Sequence, residues 1–247
     1  MMKSRKEILE INPTFTKFIL DLQLSYKPEP FEAGDSVALE LNDVEGTTLT
    51  KELAEKLNRD QYDEFETNRD INPFPYSEEL VFIENRLIIS SKDNTSEYLS
   101  DIANSIEKIR LELKETDLIV LGVQNTPWLY QENDYLPAKN ALNYLKQRVN
   151  SEFNGGFLLK EESLLEFIPH LFWLTRCNTS LPHFYMSFPK SKTIISICKY
   201  GVLHFEFYNQ EEKMRILQIL SGLNFKELDN CGDPIEFDNF DGRRIEI

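Results

Sequence analysis

The sequence predicts an α+β protein of two lobes, with mostly antiparallel or mixed sheets built from hairpin–helix–strand units and covered by helices. Three observations predict this class. Apolar residues recur at helical spacing in several segments, and short alternating or apolar runs between them have the period of strands. Glycine, proline and asparagine mark where these segments begin and end. Since helices and strands occur in short mixed units, an α+β architecture is favoured.

The first 79 residues are predicted to contain two helices and a short strand. Asn12 followed by Pro13 is typical of a helix start, and the residues after them form one apolar face. Alternating apolar residues over 37–41 indicate a half-buried strand, and 50–65 has the spacing of a second, less regular helix. This part of the chain is therefore expected to be folded.

The next segment is predicted to form a hairpin, a helix and a strand. Apolar runs at 80–83 and 87–90 flank residues 84–86, as two strands flank a turn. A capped helix over 94–113 follows, and 118–123 is a short apolar strand. Here the helical periodicity is the strongest signal in the chain.

Two further helices and a glycine pair come next. Pro137 opens one helix, and 161–177 has helical spacing that Pro169 is expected to kink or split. The pair at residues 155–156 marks the predicted boundary between an N-terminal lobe, 1–154, and an aromatic-rich C-terminal lobe, 155–247.

The last part of the chain is predicted to be rich in strands. Strands over 193–198 and 202–208 flank a three-residue loop that ends at Gly201, where a left-handed conformation closes the hairpin. A helix follows from Asn209 to just before Gly222. Two more strands are predicted at 225–228 and 243–247.

The hairpin–helix–strand pattern thus occurs twice, over about 79–123 and about 192–228. The two copies share little residue identity. Internal duplication is one interpretation of this pattern, and independent use of a common motif is the other.

Negative charge is concentrated in one segment. The chain has 27 Lys and Arg against 42 Asp and Glu, a net charge of −15, which excludes a protein whose main task is to bind bare nucleic acid directly. Residues 29–79 carry 15 acidic and 4 basic side chains. The densest group comprises Asp60, Asp63, Glu64, Glu66 and Asp70. This segment serves solubility in one interpretation and binds a basic protein partner in the other.

Two aromatic residues are a second candidate for partner contacts. Trp128 and Tyr130 lie in a predicted loop between a strand and a helix. A loop tryptophan beside a tyrosine is a plausible contact residue in a protein interface.

The predicted C-terminal hairpin offers one set of catalytic residue types. If 198 faces 202, then Ser196 faces His204 across the two strands, and Glu206 follows on the same face. A serine, a histidine and a carboxylate are the groups of a hydrolytic triad. Because no G-x-S-x-G motif presents Ser196, the polar face of a hairpin is the favoured interpretation and a hydrolase is the alternative.

No metal or cofactor is expected from the sequence. The three cysteines lie 21 and 33 residues apart, and no Cys-x-x-Cys pair is present. Nucleotide-binding motifs are also absent from the sequence. An odd number of cysteines favours a reducing compartment, and no apolar run approaches the ~20 residues that span a bilayer.

These observations favour a cytoplasmic, non-catalytic protein-binding module over an enzyme. An inhibitor, immunity or adaptor role would fit an acidic surface that engages a basic protein partner. Imitation of nucleic acid by rows of carboxylates is a third hypothesis. The sequence predicts no membrane association and indicates no particular oligomeric state.

Overall fold

The computed structural model describes residues 1–38, 46–74, 79–90, 94–129, 132, 134–177, 182–223 and 225–231. Its helices are α1 (Arg5–Leu9), α2 (Pro13–Ser25), α3 (Lys51–Asn68), α4 (Thr95–Glu112), α5 (Leu136–Lys146), α6 (Glu161–Cys177) and α7 (Gln210–Ser221). Its strands are β1 (Met2–Lys3), β2 (Ser36–Val37), β3 (Thr47–Thr48), β4 (Glu84–Ser90), β5 (Leu118–Gly122), β6 (Gly156–Leu159), β7 (Phe184–Ser187), β8 (Thr193–Ile197), β9 (Leu203–Phe207) and β10 (Phe225–Leu228).

The predicted α+β class is confirmed. Eight strands form one sheet in the order β1-β6-β5-β7-β8-β9-β4-β10, and each neighbouring pair is antiparallel. The chain divides into two compact units, residues 1–19 with 72–247 and residues 20–71. The large sheet belongs to the first unit. The predicted lobe boundary after residue 154 also falls within this unit, just before β6.

Helices pack against both faces of the large sheet in the described structure. On one face, buried side chains of the central strands join those of α4, α5, α6 and α7 in a single apolar core. On the other face, Ile8 of α1 lies against the β5–β6 pair, and the Phe18 ring of α2 packs on Tyr185 at 4.8 Å. The period-2 alternation of the strands separates the two sets of side chains.

The prediction of a hairpin over residues 80–90 is wrong. Residues 84–90 form the single strand β4, which pairs with β9 on one side and with β10 on the other. Arg86 was assigned to a turn because it lies between two apolar runs, but in the sheet it lies between Glu84 and Glu227 and forms ion pairs with both. The first hairpin–helix–strand unit therefore lacks its hairpin.

Other local predictions are confirmed. Helices α4, α5 and α7 lie where the periodicity placed them, and Asn209 Oδ1 accepts the backbone N–H of Glu212 as an N-cap does. By contrast, the structure corrects the predicted split at Pro169, since α6 is one continuous helix. The predicted strand at 243–247 lies outside the described residues.

The second unit, residues 20–71, has a two-stranded sheet and the helix α3. Strands β2 and β3 pair in antiparallel orientation, and Thr50 caps the start of α3. Asn58 of α3 holds the chain near Phe31, since its side-chain amide donates to the Phe31 carbonyl at 2.9 Å and its Oδ1 accepts the Phe31 N–H at 2.7 Å. Part of the strand predicted over 37–41 lies outside the described residues.

No helix in the described ranges is long and apolar enough to cross a bilayer.

Candidate functional site

Three of the predicted partner-binding residues lie together on α3. Asp60, Asp63 and Glu64 are exposed, and their spacing of three and four residues places them on one side of the helix. Among the residues that the structure describes, none of these carboxylates forms an ion pair. We call these three residues the α3 acidic face. Their negative charge is therefore presented directly to solvent.

The other two predicted carboxylates are engaged within the same unit. Glu66 accepts a hydrogen bond from Arg69 Nε at 3.0 Å. Asp70 accepts one from Gln23 Nε2 at 2.8 Å, and its backbone N–H donates to Gln23 Oε1 at 3.0 Å. Because both carboxylates already have partners within this unit, Glu66 and Asp70 are not part of the α3 acidic face.

Two cations lie near the α3 acidic face. Lys56 and Arg59 precede Asp60 and Asp63 by four residues each, and both are exposed. Neither forms an ion pair within the described part of the chain. A base placed N-terminal to an acid is the weaker orientation for an i, i+4 pair in a helix. The cations reduce the local negative potential without neutralising individual carboxylates.

Trp128 belongs to the core rather than to a surface. Its side chain is 0% exposed, and its indole N–H donates to the carbonyl oxygen of Gly155 at 2.9 Å. Its ring packs edge-on against Phe157 and stacks with Phe184. In this conformation the indole is fully buried and its N–H is bonded within the chain, so its side chain cannot contact a partner. The predicted contact role of Trp128 is therefore corrected. Tyr130 lies outside the described residues.

The register predicted for the C-terminal hairpin is confirmed. The Cys198 N–H donates to the Val202 carbonyl at 3.1 Å, and Ser196 faces His204 across β8 and β9. Gly201 has the expected positive φ of 80°. His204 and Glu206 alternate with the buried residues of β9, so both point away from the main core.

The contacts on this face do not assemble a catalytic triad. His204 Nε2 lies 3.4 Å from the sulfur of Cys231, and Glu206 accepts a hydrogen bond from the Tyr208 hydroxyl at 3.2 Å. In the described structure no hydrogen bond joins Ser196 to His204. The three predicted residue types are therefore neighbours in the sheet without the relay of hydrogen bonds that a triad requires.

Burial acts on the ionisable groups of this face. It raises the pKa of Glu206, against the opposing effect of the Tyr208 hydrogen bond. Burial also lowers the pKa of His204, and the nearby His183 acts in the same direction. Both effects favour the uncharged forms, whereas a carboxylate that orients a catalytic histidine has to be ionised.

The structure brings together a cluster that the sequence analysis missed. One possible ligand atom from each of Cys198, His204 and Cys231 lies within 4.8 Å of the other two. The two sulfurs are 3.5 Å apart. As a whole residue Cys231 is exposed, but its sulfur faces the other two residues. Local desolvation and the Cys198 thiol raise the pKa of Cys231 to about 11.

The spacing of the cluster explains why sequence reasoning missed it. A search for closely spaced pairs overlooks Cys198 and His204, which are six residues apart in sequence. They come close together only because the chain turns tightly between them in the β8–β9 hairpin. Cys231 follows β10, which reaches this region through its pairing with β4. The third cysteine, Cys177, is buried at the end of α6. The signal that was available was the Cys-x5-His spacing across the predicted hairpin.

No protein-family model, curated protein or solved structure matches this chain.

Proposed function

We propose that this protein is a non-catalytic binding module that engages a basic protein partner through the α3 acidic face. The observation that carries the proposal is that Asp60, Asp63 and Glu64 lie together, exposed and outside any ion pair of the described chain. Charged residues that the fold does not use internally are available for an intermolecular contact.

The charge distribution of the second unit supports this assignment. Residues 20–71 contain 14 acidic and 5 basic side chains, so the α3 acidic face lies in a strongly negative part of the sequence. Clustered charge of one sign raises association rates with an oppositely charged protein and disfavours other partners. We therefore expect a partner with a surface rich in lysine and arginine.

An inhibitor, immunity or adaptor role is the class of function that this surface serves. In each of these roles the protein acts by occupying a surface on its partner, which needs complementary charge but no catalytic group. We also propose a cytoplasmic location, since Cys177, Cys198 and Cys231 form no disulfide in the described structure and a reducing compartment preserves thiols.

A pull-down from the native cell tests the proposal. The bait is the full chain, compared with the variant Asp60→Asn, Asp63→Asn and Glu64→Gln, which removes the three charges with little change in shape. A matched control removes three exposed carboxylates elsewhere, by Asp134→Asn, Glu152→Gln and Glu162→Gln. Each capture is made at low and at high salt.

We expect the wild type and the control to capture a lysine- and arginine-rich protein at low salt, and the α3 variant to lose it. The captured protein should also be released at high salt, because salt screens the attraction between exposed charges. The proposal would be contradicted if all three baits captured the same proteins equally or if the complex did not respond to salt. It would also be contradicted if the captured proteins showed no excess of basic proteins.

Hydrolysis by Ser196, His204 and Glu206 is the weaker alternative. Only the confirmed Ser196–His204 register favours it, because His204 contacts a thiol and Glu206 contacts a tyrosine. If a hydrolytic activity is detected, this alternative requires that Ser196→Ala abolish it, and an activity that Ser196→Ala leaves unchanged would rule the alternative out.

A further inference from the structure

The Cys198–His204–Cys231 cluster is built on the central part of the large sheet. Cys198 directly follows β8, where its N–H donates to the Val202 carbonyl, and the Gly201 N–H donates to the Cys198 carbonyl at 2.9 Å. His204 lies within β9 and has strand partners on both sides, Ser196 and Leu87. Two of the three side chains are therefore held by regular backbone hydrogen bonds, as a preorganised site needs.

Two of the three distances within the cluster are close to those around a single metal ion, and the third is within 4.8 Å. Tetrahedral zinc with Zn–S bonds of ~2.3 Å and Zn–N bonds of ~2.0 Å sets its ligands about 3.8 Å apart for two sulfurs and about 3.5 Å apart for sulfur and nitrogen. The corresponding distances here are 3.5 Å between the sulfurs of Cys198 and Cys231, and 3.4 Å from Cys231 Sγ to His204 Nε2. The third distance is at most 4.8 Å.

Packing alone does not account for this arrangement. Buried thiols are common as small apolar groups, but Cys231 is exposed and Cys198 is half-buried. Thiols are weak hydrogen-bond donors and acceptors, so contacts of sulfur with sulfur and with an imidazole contribute little by themselves. Two thiols and an imidazole converge here, two from the β8–β9 hairpin and one from the chain after β10, and this is a set of ligands that a metal ion can bind.

We propose that Cys198, His204 and Cys231 bind one zinc ion through two thiolates and one imidazole nitrogen. Thiolate and imidazole are ligands that zinc accepts readily, and Cys2His sets with a fourth ligand are a known zinc coordination. Three protein ligands leave one tetrahedral position for a water molecule or a further side chain. The proposal is independent of the α3 acidic face.

Zinc binding would connect the chain after β10 to the β8–β9 hairpin. When the ion binds, the two thiols each lose a proton to solvent and the neutral imidazole keeps its charge state, so two protons are released for each zinc ion. Because the three ligands converge only in the folded chain, bound zinc stabilises the native state. The residues around Cys231 would then be held to the sheet by coordination as well as by the strand pairing of β10.

Stoichiometry and coordination chemistry test the proposal on the full chain. The protein is purified with a reductant, stripped with a chelator, and titrated with zinc in the presence of a competing chromophoric chelator. Elemental analysis gives the number of ions per chain. A parallel titration with cobalt(II) reports thiolate ligands through the near-ultraviolet charge-transfer band that arises only when sulfur binds the metal.

Cys231→Ser is the main variant, because an exposed residue near the end of the described chain is the least necessary for folding. Cys198→Ser and His204→Gln test the other two ligands. Cys177→Ser is the matched control, since it removes a cysteine outside the cluster. Circular dichroism of the stripped proteins shows whether each variant is folded before metal is added.

We expect one zinc ion per wild-type chain and a cobalt–thiolate band. Affinity should fall by more than ~100-fold in Cys231→Ser, because even outer partners of metal ligands are worth 10–100-fold. Cys177→Ser should bind as the wild type does. Absence of zinc binding by the reduced wild type, unchanged affinity in folded Cys231→Ser, or uptake of copper(I) alone would overturn the proposal. A Cys198–Cys231 disulfide that persists in the presence of the reductant, in a chain that binds no zinc, would also overturn it.

Discussion

The hydroxyl of Tyr98 donates a 2.7 Å hydrogen bond to the carbonyl oxygen of Gly201. Tyr98 lies in α4 and is 0% exposed, and Gly201 closes the β8–β9 hairpin with a φ of 80°. This bond joins the helix layer directly to the loop next to Cys198. Burial raises the pKa of the Tyr98 hydroxyl, so it stays protonated and can donate this bond at neutral pH.

Removing this hydroxyl is expected to destabilise the protein. Tyr98→Phe leaves the Gly201 carbonyl buried without its donor, which should lower the free energy of unfolding by about 1–2 kcal/mol. Urea titration followed by circular dichroism measures the change. Tyr62→Phe is the control, because Tyr62 is 45% exposed and should shift stability by less than about 0.5 kcal/mol. Equal effects of the two substitutions would show that the Tyr98–Gly201 bond contributes nothing specific.

Gly201 itself is expected to tolerate no side chain. A Cβ there would lie 2.9 Å from Tyr98 Cε1 and 3.2 Å from Phe172 Cε2, and the backbone has a positive φ. Gly34 also has a positive φ, but a Cβ there meets nothing within 4 Å. Gly34→Ala should therefore lower the free energy of unfolding only through backbone strain, by about 1–2 kcal/mol. Gly201→Ala should lower it by about a further 1 kcal/mol or more, because its Cβ also clashes, as in an overpacked core. Thermal unfolding of both variants measures the difference, and a smaller loss for Gly201→Ala would contradict it.

The β8–β9 hairpin could be predicted from sequence down to its register because its determinants are local. Gly201 in a three-residue loop sets the closure, and the closure sets which residues face each other. The Ser196–His204 pair and the helix that begins after Asn209 follow from the same short stretch of sequence. Local signals of this kind also placed α4, α5 and β5.

Features that depend on distant residues were not predictable in the same way. Arg86 looked like a turn residue because its partner Glu227 lies 141 positions away in the chain. Trp128 looked exposed because the carbonyl it binds, that of Gly155, belongs to a segment 27 residues later. The cluster around Cys231 has the same origin, since pairing of β10 with β4 brings the end of the described chain to the hairpin. Sequence spacing indicates none of these distant contacts, and for the cluster it indicates only the Cys198–His204 pair across the hairpin.

Arg5 is expected to be essential to the fold of the first unit. Its guanidinium donates to the carbonyl oxygens of Gly122 at 2.7 Å and of Val123 at 2.8 Å, where β5 ends, and the residue is 7% exposed. Arg5→Met should lower the free energy of unfolding by about 2–4 kcal/mol, because buried acceptors lose a charged donor. Arg59→Met, at an exposed position, should change it by less than about 0.5 kcal/mol.

Arg5→Lys separates charge from geometry. A lysine keeps the positive charge but is a point donor and cannot span two carbonyl oxygens with a planar fork. We therefore expect the free energy of unfolding of Arg5→Lys to lie between those of the wild type and Arg5→Met in the same denaturant titration. A lysine variant as stable as the wild type would show that charge alone is sufficient at this position.

His170 is expected to make stability depend on pH. Its ring stacks on Tyr144 at 4.1 Å, and burial lowers its pKa, with a smaller lowering from Arg148 and an opposing effect of Glu166. The folded protein therefore favours neutral His170. Above the ordinary histidine pKa of ~6.5 this preference has no effect on stability. As pH falls below that value, the unfolded chain binds a proton that folded His170 does not, and the free energy of unfolding decreases.

His170→Gln removes this proton-binding difference and leaves the other groups unchanged. Urea titrations at pH 7.5 and pH 5.5 give the loss of unfolding free energy between these two pH values for each protein. This loss should be larger for the wild type than for the variant. Comparing the two losses cancels the contributions of carboxylates and of the other histidines, which titrate in both proteins. Equal losses would mean that solvent reaches the imidazole well enough to protonate it in the folded state. A smaller loss for the wild type would mean that Glu166 outweighs burial and raises the pKa of His170.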